Sequence, residues 1–582
     1  MDLPDLQRYQ QVRVEHLRTV MRPAVGCLLI LTLCTAAGCK VNRPHHDHAI
    51  TQTLYQGMGS DPGTFNPIIV TDAASGTAIG DLFEGLVKIN PKTTLPEPDL
   101  AQSWQIADGG KTITFHLRHG VKWSDGVRFS ARDVLFTMRV IYDPRVPNSM
   151  ISSLTVDGNP LKVEAPDDYT VVMRLPRPFA PLLYAIGVPI VPRHALAKAL
   201  AAGQFNRTWG IDTPPHELIC LGAYRMERYV PGQLLAFKRN SAYWMRDEHD
   251  GQLPRLLAQV QMIVTDRNAM YLRFMSGLLD VYRPRAEEVW QLQQKQAELH
   301  IRLQPTGIDT GSRFFAFNRN PRHYVQHGIV DPKYKWFSDI NFMRALAHAL
   351  DKRGIINLCY RGLAVPAVAD ISPADKIFHN PNLKDYDYDL KLAARILDEA
   401  GYRMLRPGVR GDPEGHPIVF ELTTPTGNPT SDQICAIYKQ DLASLGITVN
   451  YRPLEFIALV KKLDSSFDWD CILIGFTGTI EPNNAANFLR SSGNLHIWNP
   501  GEPHPATPWE AEIDRLLDEG TRVMDPQQRA PYYWRIQQIL HDQLPIIETV
   551  REIGYVAYRD SLENFDETTW GLYKPEWIQF RQ

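Results

Sequence analysis

The amino-acid sequence predicts an α/β protein with at least two lobes. Segments with the alternating pattern of half-buried strands are followed, along the chain, by segments with the apolar spacing of helices. The chain of 582 residues is too long for a single hydrophobic core. Its 44% hydrophobic and 22% charged residues are typical of a globular protein, and the net charge of −3 provides no basic field. We therefore expect several packed units and no nucleic-acid partner.

The first 38 residues are predicted to be a signal peptide. Residues 24–37 are uncharged and apolar, follow two arginines, and are too few to span a bilayer comfortably. Cys39 resembles the lipidated cysteine of a bacterial lipobox, which predicts a lipid anchor at the mature N-terminus. Ala36 stands where a lipobox usually has leucine, so ordinary signal cleavage stays open. Acidic residues precede Met21, which makes Met21 a candidate for the true start.

Residues 39–47 are expected to form a tether between this anchor and the folded chain. His45, His46 and His48 lie close in sequence, but a solvated tether does not hold ligands in the fixed geometry that a metal needs. We expect no metal site and no cofactor. No second long apolar segment follows, so the rest of the chain should lie outside the membrane, in the periplasm or at the cell surface.

Four cysteines lie beyond the signal peptide and the lipidation candidate. In an oxidising compartment they could form up to two disulfides, but their wide spacing fits neither a disulfide-rich scaffold nor a zinc site. Buried free thiols are the alternative, particularly where a cysteine opens an apolar run typical of a buried strand, as Cys471 does. The four are Cys220, Cys359, Cys435 and Cys471.

A hairpin and a helix start are predicted in the block that ends at Asp133. Polar and apolar residues alternate over 113–117, and the glycine-containing turn 108–110 tolerates positive φ, so this strand should pair with residues 104–106. Ser130 is placed to cap a helix whose first turn contains Asp133.

This block contains LAQSW, FHLRHGVKWSDG and ARDV, and it resembles the family 5 extracellular solute-binding proteins. These are the dipeptide- and oligopeptide-binding subunits of ABC importers. The similarity continues through almost the whole mature chain. The stretches that carry it most clearly are 59–67, 82–86, 238–244, 274–280, 337–352, 388–402 and 468–482.

Three segments that resemble the family are also predicted to be helices. Residues 337–352 have apolar side chains at helical spacing, and residues 388–402 form a second helix that Gly401 should end in the left-handed conformation. A third helix opens at Trp509 and is expected to continue towards Arg529.

The resemblance implies a two-lobed periplasmic-binding-protein type II fold, in the large three-domain variant of family 5, with a solute cleft between the lobes. Such clefts close by a hinge motion when solute binds. On this resemblance we divide the chain into lobe I (48–85, 206–305 and 546–582), an inserted domain II (86–205) and lobe II, or domain III (306–545).

The resemblance also places solute contacts on lobe II, along the strand and loop within 468–482. Main-chain pairing of a peptide with such a strand accepts many side chains, and glycines allow close backbone approach. Phe476 could stack on the solute, and a core aromatic is an equally good interpretation. The candidate residues are Gly475, Phe476, Thr477, Gly478, Thr479 and Glu481.

Thr479 departs from the family pattern. Peptide binders that hold a free α-ammonium have an aspartate at the corresponding position, because a desolvated cation needs a carboxylate. Glu481, two residues further on, is the alternative carboxylate, in a different register. Blocked peptides or another small solute therefore stay open as alternatives.

Further contacts are expected on both lobes. Asn487, Trp498 and Asn499 have the composition of a pocket rim, with a surface loop as the alternative. The facing candidates from lobe I are Ser60, Asp61 and Gly63.

The predicted function is that of a monomeric extracytoplasmic binding protein that delivers peptides to an ABC permease and its ATPase. The rival hypothesis is a secreted hydrolase. The sequence contains no nucleophile elbow, HExxH motif, phosphate loop or dinucleotide fingerprint, so we expect no enzyme. A scaffold that has lost its solute is the third possibility.

Overall fold

A computed structural model of the protein describes residues 51–581. Three larger β-sheets are surrounded by helices, which confirms the α/β prediction. The predicted signal peptide, Cys39 and the tether lie outside the described residues. Between residues 51 and 581, no helix has both the length and the apolar character required to cross a membrane.

The largest sheet has eight strands and is mixed. Thr53–Met58 lies in its middle and runs parallel to Ala258–Ile263, whereas Val550–Arg559 pairs antiparallel with its neighbours. The strands in spatial order are Tyr224–Val230, Leu234–Arg239, Ala258–Ile263, Thr53–Met58, Val281–Tyr282, Val550–Arg559 and Ile301–Ile308, with Ala364–Pro366 also paired to Val550–Arg559.

A five-stranded sheet is formed by the later part of the chain. Its strand Ser312–Phe317 alternates strictly, with Phe315 and Phe317 in the core on one face and Phe314 and Ala316 in the core on the other. The order is Thr448–Tyr451, Val419–Thr423, Cys471–Phe476, Ser312–Phe317 and Ile546–Glu548.

The third sheet has four strands and contains the predicted hairpin. Trp104 pairs with Phe115 and Ile106 with Ile113, which confirms the hairpin, and the turn residues Gly109 and Gly110 have φ of 63° and 94°. The strands in order are Ala101–Ala107, Thr112–Leu117, Thr170–Arg174 and Lys162–Asp167. Shorter pairs are Val87–Ile89 with Pro96–Pro98, Thr155–Val156 with Asn159–Pro160, Val325–Gln326 with Ile329–Val330, Met404–Arg406 with Val409–Arg410, Leu562–Glu563 with Gln579–Phe580, and Glu567–Thr568 with Gly571–Leu572.

The predicted helix starts and stops are largely confirmed. Asp133 accepts a hydrogen bond from the Ser130 backbone N–H at 3.0 Å, at the start of Ala131–Ile141, and Gly401 has φ of 91° after Leu390–Glu399. The remaining α-helices are Ala73–Ile79, Met150–Ser153, Leu182–Ala185, Arg193–Ala201, Arg267–Met275, Ala286–Gln294, Gln296–Leu299, Pro321–Tyr324, Pro332–Ser338, Ile340–His348, Lys352–Tyr360, Pro429–Ser444, Phe456–Lys461, Ala486–Leu489, Pro508–Gly520 and Pro526–Gln543.

One helix prediction is wrong. The segment from Trp509 to Arg529 forms two helices that are separated by residues 521–525. Asp525 accepts a hydrogen bond from the Gln528 N–H at 2.9 Å, and Pro526 occupies the first position of the second helix. A cap followed by proline starts a new helix here, because proline cannot donate the hydrogen bond that would continue the first one.

The three sheets draw their strands largely from the three predicted parts of the chain. Two strands depart from this division. Ala364–Pro366 joins the eight-stranded sheet, and Ile546–Glu548 joins the five-stranded sheet. The domain boundaries themselves stay a prediction.

Candidate functional site

The strand Cys471–Phe476 is paired unequally on its two sides. On one side, pairing with Ser312–Phe317 continues to Phe476. On the other side, the last paired residue is Ile472, opposite Thr423. From Leu473 to Phe476 this second side has no strand partner within residues 51–581, although the Leu473 carbonyl accepts a hydrogen bond from the Thr424 hydroxyl at 2.9 Å. The strand therefore ends in an open edge.

Two glycines hold this strand end and its loop close to the neighbouring backbone. A Cβ added to Gly478 would lie 2.2 Å from the Thr310 carbonyl oxygen, and one added to Gly475 would lie 2.7 Å from the Ser312 carbonyl oxygen. Both distances are too short for a side chain. The close approach expected from the sequence is therefore, in this structure, an approach to the protein's own backbone.

A cavity of about 250 Å³ lies beside the loop that follows the strand. It is mainly apolar, with aromatic rings and a few carboxylates in its wall. Five of the predicted solute contacts line it together, namely Phe476, Thr477, Gly478, Thr479 and Asn487. Gly475 lines an adjoining cavity of about 340 Å³, which Phe476 and Thr477 also border.

Phe476 is a half-buried member of an aromatic group at this cavity. Its ring centroid lies 5.6 Å from that of Phe314 and 5.3 Å from that of Phe488. All three rings line the cavity. These distances are in the range of favourable aromatic pairs, so the two neighbours fix the ring while part of it remains accessible.

The cavity wall also contains three carboxyl groups that we did not predict: Asp370, Asp375 and Glu548. Asp375 is 1% exposed, and its Oδ1 accepts hydrogen bonds from the N–H groups of Ile377 and Phe378 at 3.0 and 2.9 Å. Its Oδ2 has no hydrogen-bond partner within the described chain. Burial raises the pKa of Asp370 and Asp375 to about 6 and that of Glu548 to about 7.

Glu481 lies outside both cavity linings and forms a buried ion pair. Its carboxylate accepts hydrogen bonds from Nη1 and Nη2 of Arg529 at 2.8 and 2.7 Å, and the two residues are 2% and 0% exposed. This pairing occupies both carboxylate oxygens, so Glu481 does not supply the cavity with the charge that Thr479 lacks. Thr479 is exposed and donates its hydroxyl to the Glu481 carbonyl at 3.0 Å.

Trp498 and Asn499 are buried beneath this region and do not line either cavity. Trp498 Nε1 donates a hydrogen bond to Glu510 at 3.0 Å, and Asn499 donates to Glu502. These carboxylates and His496 form a buried cluster whose potential metal-ligating atoms lie within 4.8 Å of one another. Each oxygen of the two carboxylates already accepts a hydrogen bond from the protein. We therefore interpret the cluster as a structural support of the loop.

The predicted lobe I contacts are not brought to these cavities. The Asp61 carboxylate accepts hydrogen bonds from the Tyr229 hydroxyl at 2.7 Å and from the Gly232 N–H at 2.8 Å. The Gly63 N–H donates to the Ser75 hydroxyl at 2.8 Å, and Ser60 is exposed. In this structure the contacts of Asp61 and Gly63 hold the loop after strand Thr53–Met58 in place.

The cysteines of the described chain are free thiols. Cys220, Cys435 and Cys471 are buried, and Cys359 is half-buried. Burial raises the pKa of Cys220 to about 12, as expected for an unreactive core thiol. The free-thiol alternative is therefore confirmed for these four.

A sequence model of the bacterial extracellular solute-binding proteins, family 5, matches residues 96–496, which is more than half of the chain. The chain belongs to this family. The match covers the four-stranded sheet and most of the five-stranded sheet, including the strand Cys471–Phe476. The family expectation is confirmed, and the protein is a solute-binding protein.

Individual relatives cover nearly the whole chain. Di/tripeptide-binding protein 3 of Pseudomonas aeruginosa is 27% identical over 563 residues, which are 92% of this chain and 96% of the relative. Heme-binding protein A of Haemophilus influenzae is 25% identical over 529 residues, which are 88% of this chain and 89% of the relative. The relatives of this chain are thus named for different solutes.

Solved structures show the same fold. The oligopeptide-binding protein AppA of Bacillus subtilis, in complex with a nonapeptide, superimposes with a TM-score of 0.67 at 22% identity. The alignment covers 91% of this chain and 99% of AppA. The predicted type II binding-protein fold is therefore confirmed.

Proposed function

We propose that this family 5 binding protein captures peptides outside the cytoplasm and delivers them to an ABC permease with its ATPase. The open edge of strand Cys471–Phe476 carries the proposal. An extended peptide can add its backbone to unpaired main-chain groups there, as in other cases of strand addition. Because such pairing uses only the backbone, the site would accept varied side chains.

Asp375 is our candidate for the partner of the peptide α-ammonium. Thr479 cannot provide charge, but Asp375 has a buried carboxylate oxygen without a protein partner in the described chain and lines the same cavity as Phe476. Hydrogen bonds between an ammonium and a carboxylate are about twice as strong as neutral ones. Asp370 and Glu548 add negative charge to the cavity wall.

Phe476 would cover the bound solute from the aromatic side of the cavity. Its ring is held by Phe314 and Phe488, so little conformational freedom is lost when a solute packs on it. Gly478, Thr477 and Thr479 would line the same side.

A different small solute or an N-terminally blocked peptide is the second candidate. The threonine at position 479 favours it, because the carboxylate expected for a free N-terminus is missing there. The existence of a relative named for heme supports the breadth of solutes in the family. A hydrolase is not favoured, because the relatives described above are named as binding proteins.

We further propose that the protein acts as a monomer in the periplasm or at the cell surface, anchored to a membrane by lipidated Cys39. The support is the sequence pattern around Cys39. Mass spectrometry of the mature N-terminal peptide tests the anchor, and diacylglyceryl-cysteine is the expected N-terminal residue. An unmodified N-terminus elsewhere would contradict it.

Titration calorimetry with Ala-Ala-Ala and its N-acetylated form tests the peptide proposal. We expect the free tripeptide to bind and acetylation to weaken binding about tenfold or more, since it removes a charge-assisted contact. Asp375→Asn should remove this preference, whereas Asp212→Asn, at an exposed position, should not. Equal binding of both tripeptides would favour the blocked-peptide alternative.

A further inference from the structure

A third cavity, of about 400 Å³, is strongly acidic. Four carboxyl groups line it together with one ammonium group, that of Lys88. The carboxyl groups belong to Asp81, Glu84, Asp99 and Glu576. Asp81 and Glu84 precede strand Val87–Ile89, Asp99 follows it, and Glu576 belongs to the C-terminal segment. The fold therefore brings carboxyl groups from distant parts of the sequence to one cavity.

The positive charges near this cavity do not balance the carboxyl groups. Lys88 Nζ lies 3.7 Å from Glu576 Oε1 and 3.8 Å from Glu97 Oε1. The lysine therefore forms ion pairs with two carboxylates, and one of them, Glu97, does not line the cavity. Arg118 contributes a second positive charge near Asp99, but its guanidinium stacks on Trp244 and its Nε donates to the Asp99 backbone carbonyl. Two cations therefore face four carboxyl groups.

Two of these carboxyl groups carry an oxygen without a hydrogen-bond partner within residues 51–581. These atoms are Oδ1 of Asp99 and Oε2 of Glu576, and the residues are 4% and 9% exposed. Glu84 differs, because its two oxygens accept hydrogen bonds from Tyr243 Oη at 2.7 Å and Trp244 Nε1 at 2.6 Å. A buried carboxylate oxygen without a partner is costly, and a bound cation would remove that cost.

Burial is the main cause of the raised pKa values in this cavity, and a neighbouring carboxyl group adds to them. Burial raises the pKa of Asp99 to about 7, Lys88 opposes the rise, and Glu576 adds to it. Burial, with a contribution from Glu576, raises the pKa of Asp81 to about 6. An empty cavity therefore favours the neutral acids, and a cationic occupant would favour the charged ones.

Tyr184 lines the acidic cavity, and its hydroxyl has no hydrogen-bond partner in the described chain. Burial and the nearby charge of Glu481 raise the pKa of Tyr184, with a smaller contribution from Asp375. Asp375 lines the Phe476 cavity. The Tyr184 hydroxyl, on the wall of the acidic cavity, is thus within electrostatic range of Asp375 on the wall of the Phe476 cavity.

We propose that the acidic cavity binds an alkylammonium or guanidinium group of the transported solute, and so selects peptides with a basic side chain. This inference rests on the proposed peptide-binding function. Asp99 and Glu576 would accept hydrogen bonds from the cation, and the Tyr184 hydroxyl would be a further polar group of the site. Aliphatic side chains of the same length would leave both carboxylate oxygens without a partner.

Calorimetry at pH 8 with Ala-Lys-Ala and Ala-norleucine-Ala tests this inference. The two side chains have similar length and differ in charge. We expect the wild type to bind the lysine peptide about tenfold more tightly or better. Asp99→Asn and Glu576→Gln should each reduce this preference to about twofold and leave the norleucine peptide unaffected. Glu97→Gln removes a carboxylate beside Lys88 that does not line the cavity, and it should keep the wild-type preference.

The outcomes separate the two proposals. If the wild type binds both peptides equally, peptide binding stands and the cation inference is overturned. If neither peptide binds, peptide binding fails, and the same titration with 1,5-diaminopentane decides the cation site. Binding of the diamine that Glu576→Gln abolishes would support it, and no binding would overturn it. Thermal melting of each variant identifies any that fails to fold, in which case the other variant carries the test.

Discussion

Replacement of Glu481 by glutamine should destabilise the protein strongly. The change keeps the shape of the side chain and removes the charge that faces the buried Arg529 guanidinium. Arg529 would keep hydrogen bonds to the Gly520 carbonyl at 3.0 Å and to the Tyr533 hydroxyl at 2.9 Å, but no carboxylate would remain among its hydrogen-bond partners. Loss of one partner of a buried ion pair costs about 3–5 kcal/mol.

Urea denaturation followed by tryptophan fluorescence measures this cost as a change in the free energy of unfolding. Glu512→Gln is the control, since Glu512 forms an exposed pair with Arg535 at 3.0 Å and such pairs contribute about 0.2–1 kcal/mol. A loss below about 1 kcal/mol for Glu481→Gln would refute the structural role of the pair. A loss of solute binding at unchanged stability would instead place Glu481 in the solute site.

Three further predictions concern the cavity and the core. Phe476→Ala should weaken peptide binding by more than about 1 kcal/mol in titration calorimetry. The control Trp290→Ala, at a site that is 70% exposed, should not change the affinity. An unchanged dissociation constant for Phe476→Ala would remove Phe476 from the site. Gly478→Ala should also weaken binding, because the added Cβ would displace the loop from the Thr310 backbone. The control Gly59→Ala has open space around its Cβ and should bind peptide normally. Equal affinities of the two variants would show that binding tolerates this displacement of the loop. Burial raises the pKa of Asp280 to about 7, so the folded state retains a proton that the unfolded state releases above about pH 4, and stability should fall as pH rises from about 4 to about 7. Asp280→Asn should make that decline shallower in urea titrations, and an identical slope would contradict the assignment.

Local features were predictable because their causes lie within a few residues. The hairpin turn at Gly109 and the helix start at Ser130 depend on backbone conformation and capping that the sequence displays directly. The break before Pro526 was equally local, since Asp525 and Pro526 together form a helix start, but our prediction continued the helix towards Arg529.

The carboxylates of the cavity were not predictable in this way. Asp375 and Glu548 come from segments far apart in sequence. The pairing of Ile546–Glu548 with Ser312–Phe317 positions Glu548, and hydrogen bonds from Arg551 to the Ala369 and Asp370 carbonyls hold the segment before Asp375. A weak signal existed in the two aspartates that flank a short proline-containing segment, Asp370 and Asp375. For the same reason the sequence did not reveal that Glu481 is paired with Arg529.

Native mass spectrometry of the purified mature protein, followed by denaturing release of bound molecules, tests the central claim most directly. The account predicts that short peptides copurify, that their N-termini are free, and that basic side chains are enriched among them. Recovery of a non-peptide solute, or a solute-free protein that also fails to bind a peptide library, would contradict the peptide-binding function.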